Sequence, residues 1–154
     1  MEKSCSFVGK LGALALAVLG CSCTVIKVEP LPAGVTDVAI VRNGKVQVTD
    51  FVPVLSSALE ERGIRARVVE QAPLAADAVT ATYTARRTWD LVPFLSTADV
   101  WFRRGNVQIG HVHYHLAGKG GFDLSKFEGT EAKMTPAYDQ LLEAYPKPRE
   151  PSRD

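Results

Sequence analysis

The chain has 154 residues, 46% of them hydrophobic and 23% charged, with a formal net charge of +1. That length sets a prior of one domain, and the apolar share excludes a wholly disordered chain. The near-neutral balance excludes a nucleic-acid surface built on basic charge.

Residues 1–20 read as an export signal rather than as part of the fold. Lys3 and Lys10 precede the run LGALALAVLG. A membrane-spanning helix needs about 20 apolar residues, so this run suits the hydrophobic region of a signal peptide instead. It ends in Val18-Leu19-Gly20-Cys21, which resembles a bacterial lipobox. The implied product is cut before Cys21, whose thiol carries diacylglycerol. An ordinary secretory signal would want a small-x-small cleavage site, which Ala17-Val18-Leu19 does not supply, and Gly20-Cys21-Ser22 makes Cys23 a poor second choice. Ser22 after the modified cysteine, by similarity to enterobacterial sorting rules, implies the outer membrane, facing the periplasm.

Cysteine usage fits this reading. Cys5 leaves with the signal and lipid consumes Cys21, so Cys23 is left without an intramolecular disulfide partner. The mature charge is (18 − 2) − (17 − 1) = 0. Attachment then rests on the lipid, where each buried CH₂ contributes about 0.8 kcal/mol.

Along the mature chain, residues 21–36 are expected to hold the lipidated cysteine and a tether, because Pro30 and Pro32 favour extended backbone. Val25, Val28 and Leu31 leave open a second possibility, that this stretch lies on the domain. A domain is expected over 37–146. Asp37 to Val41 reads as a buried strand closed by the Asn43-Gly44 turn. A helix follows, with Thr49 or Asp50 as cap, Pro53 in its first turn and Gly63 at its end. Its stripe is Phe51, Leu55, Ala58, Leu59 and Arg62.

Ile64 to Glu70 reads as a strand, and strand–helix–strand of this length permits a parallel crossover. Val79, Ala81, Tyr83 and Ala85 then alternate with Thr80, Thr82, Thr84 and Arg86, a half-buried strand. A loop over Asp90 to Ala98 leads to a strand at Val100. Arg104-Gly105-Asn106 turns it back into VQIGHVHYHLAG. Val107 and Ile109 have one parity and Val112, Tyr114 and Leu116 the other, so a bulge is expected at Gly110. The last helix is expected to start at cap Thr135 with Pro136 at N1, and to bury Tyr138, Leu141, Leu142 and Tyr145. Residues 147–154 read as a disordered tail.

The expected fold is α+β: a two-layer sandwich with one mixed, mostly antiparallel sheet of about five strands and two helices on one face, in the order strand-helix-strand-strand-strand-helix. The blocks KVQVTDFVPVLSSALEERGI, YTARRTWD, PFLSTADVWF, YHLAGKGGFDLSKF and KMTPAYDQLL behind a lipobox resemble the Sbal family of small proteobacterial lipoproteins. The resemblance runs from Cys21 to about Tyr145. It implies a lipid-anchored envelope protein and carries over one position, Cys21.

Two constellations invite chemistry. His111, His113 and His115 alternate on one strand, and a His-x-His pair is a metal-ligand spacing. His111 and His115 stand about 13 Å apart at about 3.3 Å per residue, so one ion needs a single pair plus a third ligand. Asp99, Cys23 and Asp123 are the candidates. The bulge at Gly110 would put the histidines on the water-facing side of the strand, and a polar outer face is the plainer reading. The second constellation is Trp89, Leu91, Val92, Phe94 and Leu95, flanked by Arg86 and Arg87. These either cover the core's open end or form an apolar tip for a partner protein or a membrane interface.

The turn AGKGG is not a phosphate loop, since His113 stands where its first glycine belongs and Gly120 where Ser or Thr should follow Lys119. No nucleophile elbow and no spaced carboxylate pair occurs, so no enzyme activity and no cofactor is expected. The functional expectation is a membrane-anchored, non-catalytic interaction or scaffolding module with an envelope protein as partner and no nucleic acid. The alternative is a periplasmic metal-binding protein using the His-x-His-x-His strand.

Overall fold

The computed structural model describes residues 23–90, 92–117 and 128–147. Residues 1–22 with the signal segment and Cys21, Leu91, residues 118–127 with the glycines of AGKGG and Asp123, and residues 148–154 lie outside the described residues.

Six strands form one mixed sheet with two helices, an α+β fold. The strands are β1 (Cys23–Glu29), β2 (Asp37–Val41), β3 (Arg65–Val69), β4 (Val79–Asp90), β5 (Val92–Arg104) and β6 (Val107–Ala117). The helices are α1 (Phe51–Glu60) and α2 (Thr130–Leu141). Across the sheet the order is β1-β6-β5-β4-β2-β3. β2 runs parallel to β3 and β4, and the other pairs are antiparallel.

The extra strand is β1, where a tether was expected. Seven residues from Cys23 to Glu29 pair with Ala117 to His111. Ile26 and Val28 pack against the core, and Leu31 is buried with its backbone N–H donating to the Leu141 carbonyl at 2.8 Å. Pro30 and Pro32 therefore end a strand rather than stiffen a linker, because a proline cannot continue the ladder.

α1 buries Phe51, Leu55 and Leu59, one stripe at i, i+4, i+8. Asp50 stands at its N-cap without a capping bond, and its carboxylate instead takes Arg87 of β4 at 3.0 Å. At the other end Gly63, at φ 76°, reverses the chain. The N–H of Ile64 reaches the Leu59 carbonyl at 3.0 Å and that of Gly63 reaches Glu60 at 2.9 Å. This is the Schellman pattern, with buried Leu59 and Ile64 in its hydrophobic positions.

β4 and β5 form a longer hairpin than the sequence suggests. The segment expected as a loop from Asp90 to Ala98 is strand from Val92 onward, pairing Thr88 with Phe94 and Trp89 with Pro93. The register shifts between Arg86 and Arg87, where Ser96 is the extra residue and its hydroxyl donates to the Arg86 carbonyl at 3.2 Å. A second shift passes over Ile109, since Phe102 faces Gly110 and Arg103 faces Gln108. Beyond it Val112, Tyr114 and Leu116 are buried, but Val107 is exposed and does not join them. Gly110 lets Leu31 lie against the strand; a β-carbon there would stand 3.2 Å from two Leu31 side-chain carbons.

α2 starts five residues before the expected cap. Gly129 is its N-cap and Pro136 lies inside. Thr135 is an interior residue whose hydroxyl donates to the Glu131 carbonyl at 2.8 Å. The missing N–H of Pro136 is tolerated because Met134, Ala137, Tyr138, Leu141 and Leu142 bury a continuous stripe. Arg62 joins the helices: its guanidinium donates to the carbonyls of Leu142 and Tyr145 and to the Asp139 carboxylate. The C-cap carbonyl of α2 and one in the turn beyond it thereby gain a donor.

Candidate functional site

Both helices pack on one side of the sheet, where the core of β4, β5 and β6 lies. The register fixes what the other side presents. Glu29, His111, Trp101 and Thr82 form one row across β1, β6, β5 and β4. Lys27, His113, Asp99 and Thr84 form the next, and Val25, His115, Thr97 and Arg86 the third. These residues share a face because side chains alternate along each strand.

Asp99 is the centre of this face. One of its carboxylate oxygens lies 2.8 Å from His113 Nδ1 and 3.3 Å from His111 Nε2. The Asp99 side chain keeps only 18% of its exposure. Its neighbours finish the cluster. Trp101 stacks on the His111 ring at 5.5 Å, and His113 stacks on His115 at 6.5 Å. His115 Nδ1 meets the Thr97 hydroxyl at 3.2 Å.

This arrangement decides which nitrogens hold protons. An ionised carboxylate only accepts, so Asp99 requires N–H at His113 Nδ1 and at His111 Nε2. In neutral rings the available lone pairs are then His113 Nε2 and His111 Nδ1, the nitrogens on the far side of each ring from Asp99. Of the sequence candidates for a third ligand, Asp99 is brought to the histidines, on the neighbouring strand. Cys23 pairs with Ala117 at the end of β1, and Asp123 lies outside the described residues. Among the described residues no group of three His, Cys, Asp or Glu is arranged to hold a metal ion.

The second constellation divides. Phe94 and Leu95 are buried, at 7% and 3% exposure, and so are not part of an apolar tip. The Lys133 ammonium sits 5.1 Å from the Phe94 ring centre and 3.4 Å from the Leu95 carbonyl oxygen. A lysine from α2 thus covers this end of the core, and nothing in its sequence context marks it for burial. Trp89, next to the hairpin turn, is 73% exposed. Leu91 and the Val92 side chain lie outside the described residues.

A cleft of about 320 Å³ runs along the seam between α1 and α2, lined by Pro53, Ala58, Arg62, Glu131 and Asp139 among others. Arg62 is engaged with carbonyls and Asp139 there, so the seam reads as helix packing. Tyr138 also borders it. Its hydroxyl is buried without a hydrogen-bond partner among the described residues, and burial pushes its phenol far above the ordinary value of 10. Among the described residues no helix is long and apolar enough to cross a membrane.

No family model matches the chain, and no curated protein is significantly similar to it in sequence. Among solved structures it is similar to the PelC dodecamer from Paraburkholderia phytofirmans, with a TM-score of 0.51 and 13% identity over 77% of this chain and 96% of that one. A variant of the same PelC in another space group aligns with a TM-score of 0.49 and 11% identity, over 75% of this chain and 97% of that one. At 13% identity the first of these likenesses shows a shared fold and nothing finer.

Proposed function

We propose that this chain is a lipid-anchored envelope protein, held at the outer membrane and facing the periplasm, whose α+β domain is a non-catalytic interaction module. The observation that carries the reading is the position of β1. It starts at Cys23, two residues after the lipobox cysteine, so lipid on Cys21 would hold an edge of the sheet directly at the membrane. The face of Asp99, Trp101 and the three histidines is then a fixed, polar and aromatic surface, offered to whatever stands beside it. The dodecameric state of PelC supports counting further copies of this chain among the partners.

A metal-binding role is the second reading, favoured by the carboxylate of Asp99 between His111 and His113. Metal would have to compete with those two hydrogen bonds.

Two measurements on the full chain test the main reading. Labelled palmitate is expected to enter the wild type and not Cys21→Ala, whose precursor stays unprocessed. A photo-crosslinker at Thr84, on the histidine face, is expected to give a discrete adduct in intact envelopes, either a ladder of multiples of the chain or one heterologous band. Absence of label removes the anchor. Absence of any adduct removes the interaction module.

A further inference from the structure

Resting on the lipid-anchor reading, we infer that Trp89 is a second membrane contact, so that the bilayer holds the sheet at two points with its strands upright. The argument is one of register. Val25, His115, Thr97 and Arg86 lie in one row across the sheet. On β1, Cys23 stands two residues beyond that row, about 7 Å at 3.3 Å per residue. On β4, Trp89 stands three residues beyond it, about 10 Å. Both displacements point the same way, because β1 and β6 are antiparallel, as are β6 and β5, and β5 and β4. Cys21, the residue read as lipidated, precedes Cys23 by two residues in the sequence. The N-terminal end of β1 and Trp89 therefore lie at the same end of the sheet. They are separated sideways by three strand spacings, about 14 Å.

The side chain suits the place. Trp89 is 73% exposed, while its apolar neighbours Phe94 and Leu95 are buried in the domain. Tryptophan is favoured at the bilayer interface, where one part of the ring is apolar and its N–H stays wet. Charge contributes little. Arg87 is paired with Asp50 at 3.0 Å, and the exposed Arg86 is offset in sequence by Asp90. The contact is therefore expected on zwitterionic lipid as on anionic lipid.

A second tryptophan supplies an internal ruler. Trp101 lies eight residues along β5 from Pro93, the partner of Trp89, about 26 Å away. Interfacial contacts reach only about 5–10 Å into the bilayer. The experiment uses the full-length lipidated protein reconstituted into phosphatidylcholine vesicles carrying brominated acyl chains, beside its Trp89→Phe variant. The substitution is at an exposed site and spares the core. The difference between the two emission spectra, which is Trp89, is expected to be blue-shifted and quenched. The residual emission of the variant, which is Trp101, is expected to be unquenched.

Palmitate label on the protein with no quenching of Trp89 overturns the contact and leaves the anchor standing. Quenching of both tryptophans also overturns it, because the sheet would then lie flat on the membrane. Absence of label removes the anchor and the contact together.

Discussion

The phenol of Tyr145 donates to the Pro32 carbonyl at 2.6 Å and accepts from the Val35 N–H at 2.7 Å. Two segments more than a hundred residues apart in sequence are thus tied behind β1. Tyr145→Phe keeps the ring and removes both bonds. A net hydrogen bond contributes about 0.5–1.5 kcal/mol, and a part-buried donor or acceptor left over adds to the loss. The expected destabilisation is about 1–2 kcal/mol, read as a lower urea midpoint with an unchanged slope.

Tyr138 predicts the opposite sign. Its hydroxyl is buried without a partner among the described residues, so Tyr138→Phe is expected to be neutral or to stabilise by about 1 kcal/mol. The pH dependence follows from the raised phenol. The folded chain holds that proton more tightly than the unfolded one. This group's contribution is therefore full below the unfolded value near 10 and falls as pH rises above it. Urea titrations between about pH 9 and 11 should show a shallower alkaline loss in the variant; identical slopes would refute the assignment.

Gly110→Ala is expected to cost about 1–3 kcal/mol, as overpacking does. The new methyl meets Leu31 at 3.2 Å and the Glu29 carbonyl at 3.4 Å. Leu31 has little room to yield, because it is buried and its N–H is bonded to Leu141. Gly44→Ala, with no atom within 4 Å of the added carbon, is the matched control and should leave the midpoint nearly unchanged.

The two histidines beside Asp99 are expected to differ in tautomer. Nitrogen-15 spectra above the pH of imidazole titration should show His113 protonated at Nδ1 and His111 at Nε2, and Asp99→Ala should mix the forms. Calorimetric titration with Zn²⁺ is expected to give no stoichiometric binding at micromolar metal. A one-to-one isotherm lost in His113→Ala would establish the metal reading instead.

Much of this architecture is legible in the sequence, and the failures share a cause. The α1 stripe, the Gly63 stop, the threonine face of β4 and the parity of Val112, Tyr114 and Leu116 all follow from local period and turn chemistry. Proline misleads at two places. Pro30 and Pro32 suggest a linker and Pro136 a helix start, yet they terminate β1 and sit within α2. At Pro136 burial of neighbouring apolar side chains outweighs a local preference of about 3 kcal/mol. The histidine site is half legible. Alternation puts the three rings on one face, but only the register of β5 against β6 brings Asp99 between two of them. Lys133 over Phe94 depends on tertiary packing and leaves no local signal.

The pairing of β1 with β6 also bears on how the molecule folds. Cys23 lies opposite Ala117, a separation of 94 residues (117 − 23). Pairings so distant in sequence slow folding. Until β1 arrives, β6 is an unpaired edge carrying Val112, Tyr114 and Leu116, open to edge-to-edge association. Removal of residues 23–29 would make that exposure permanent and open the sheet to edge-to-edge aggregation.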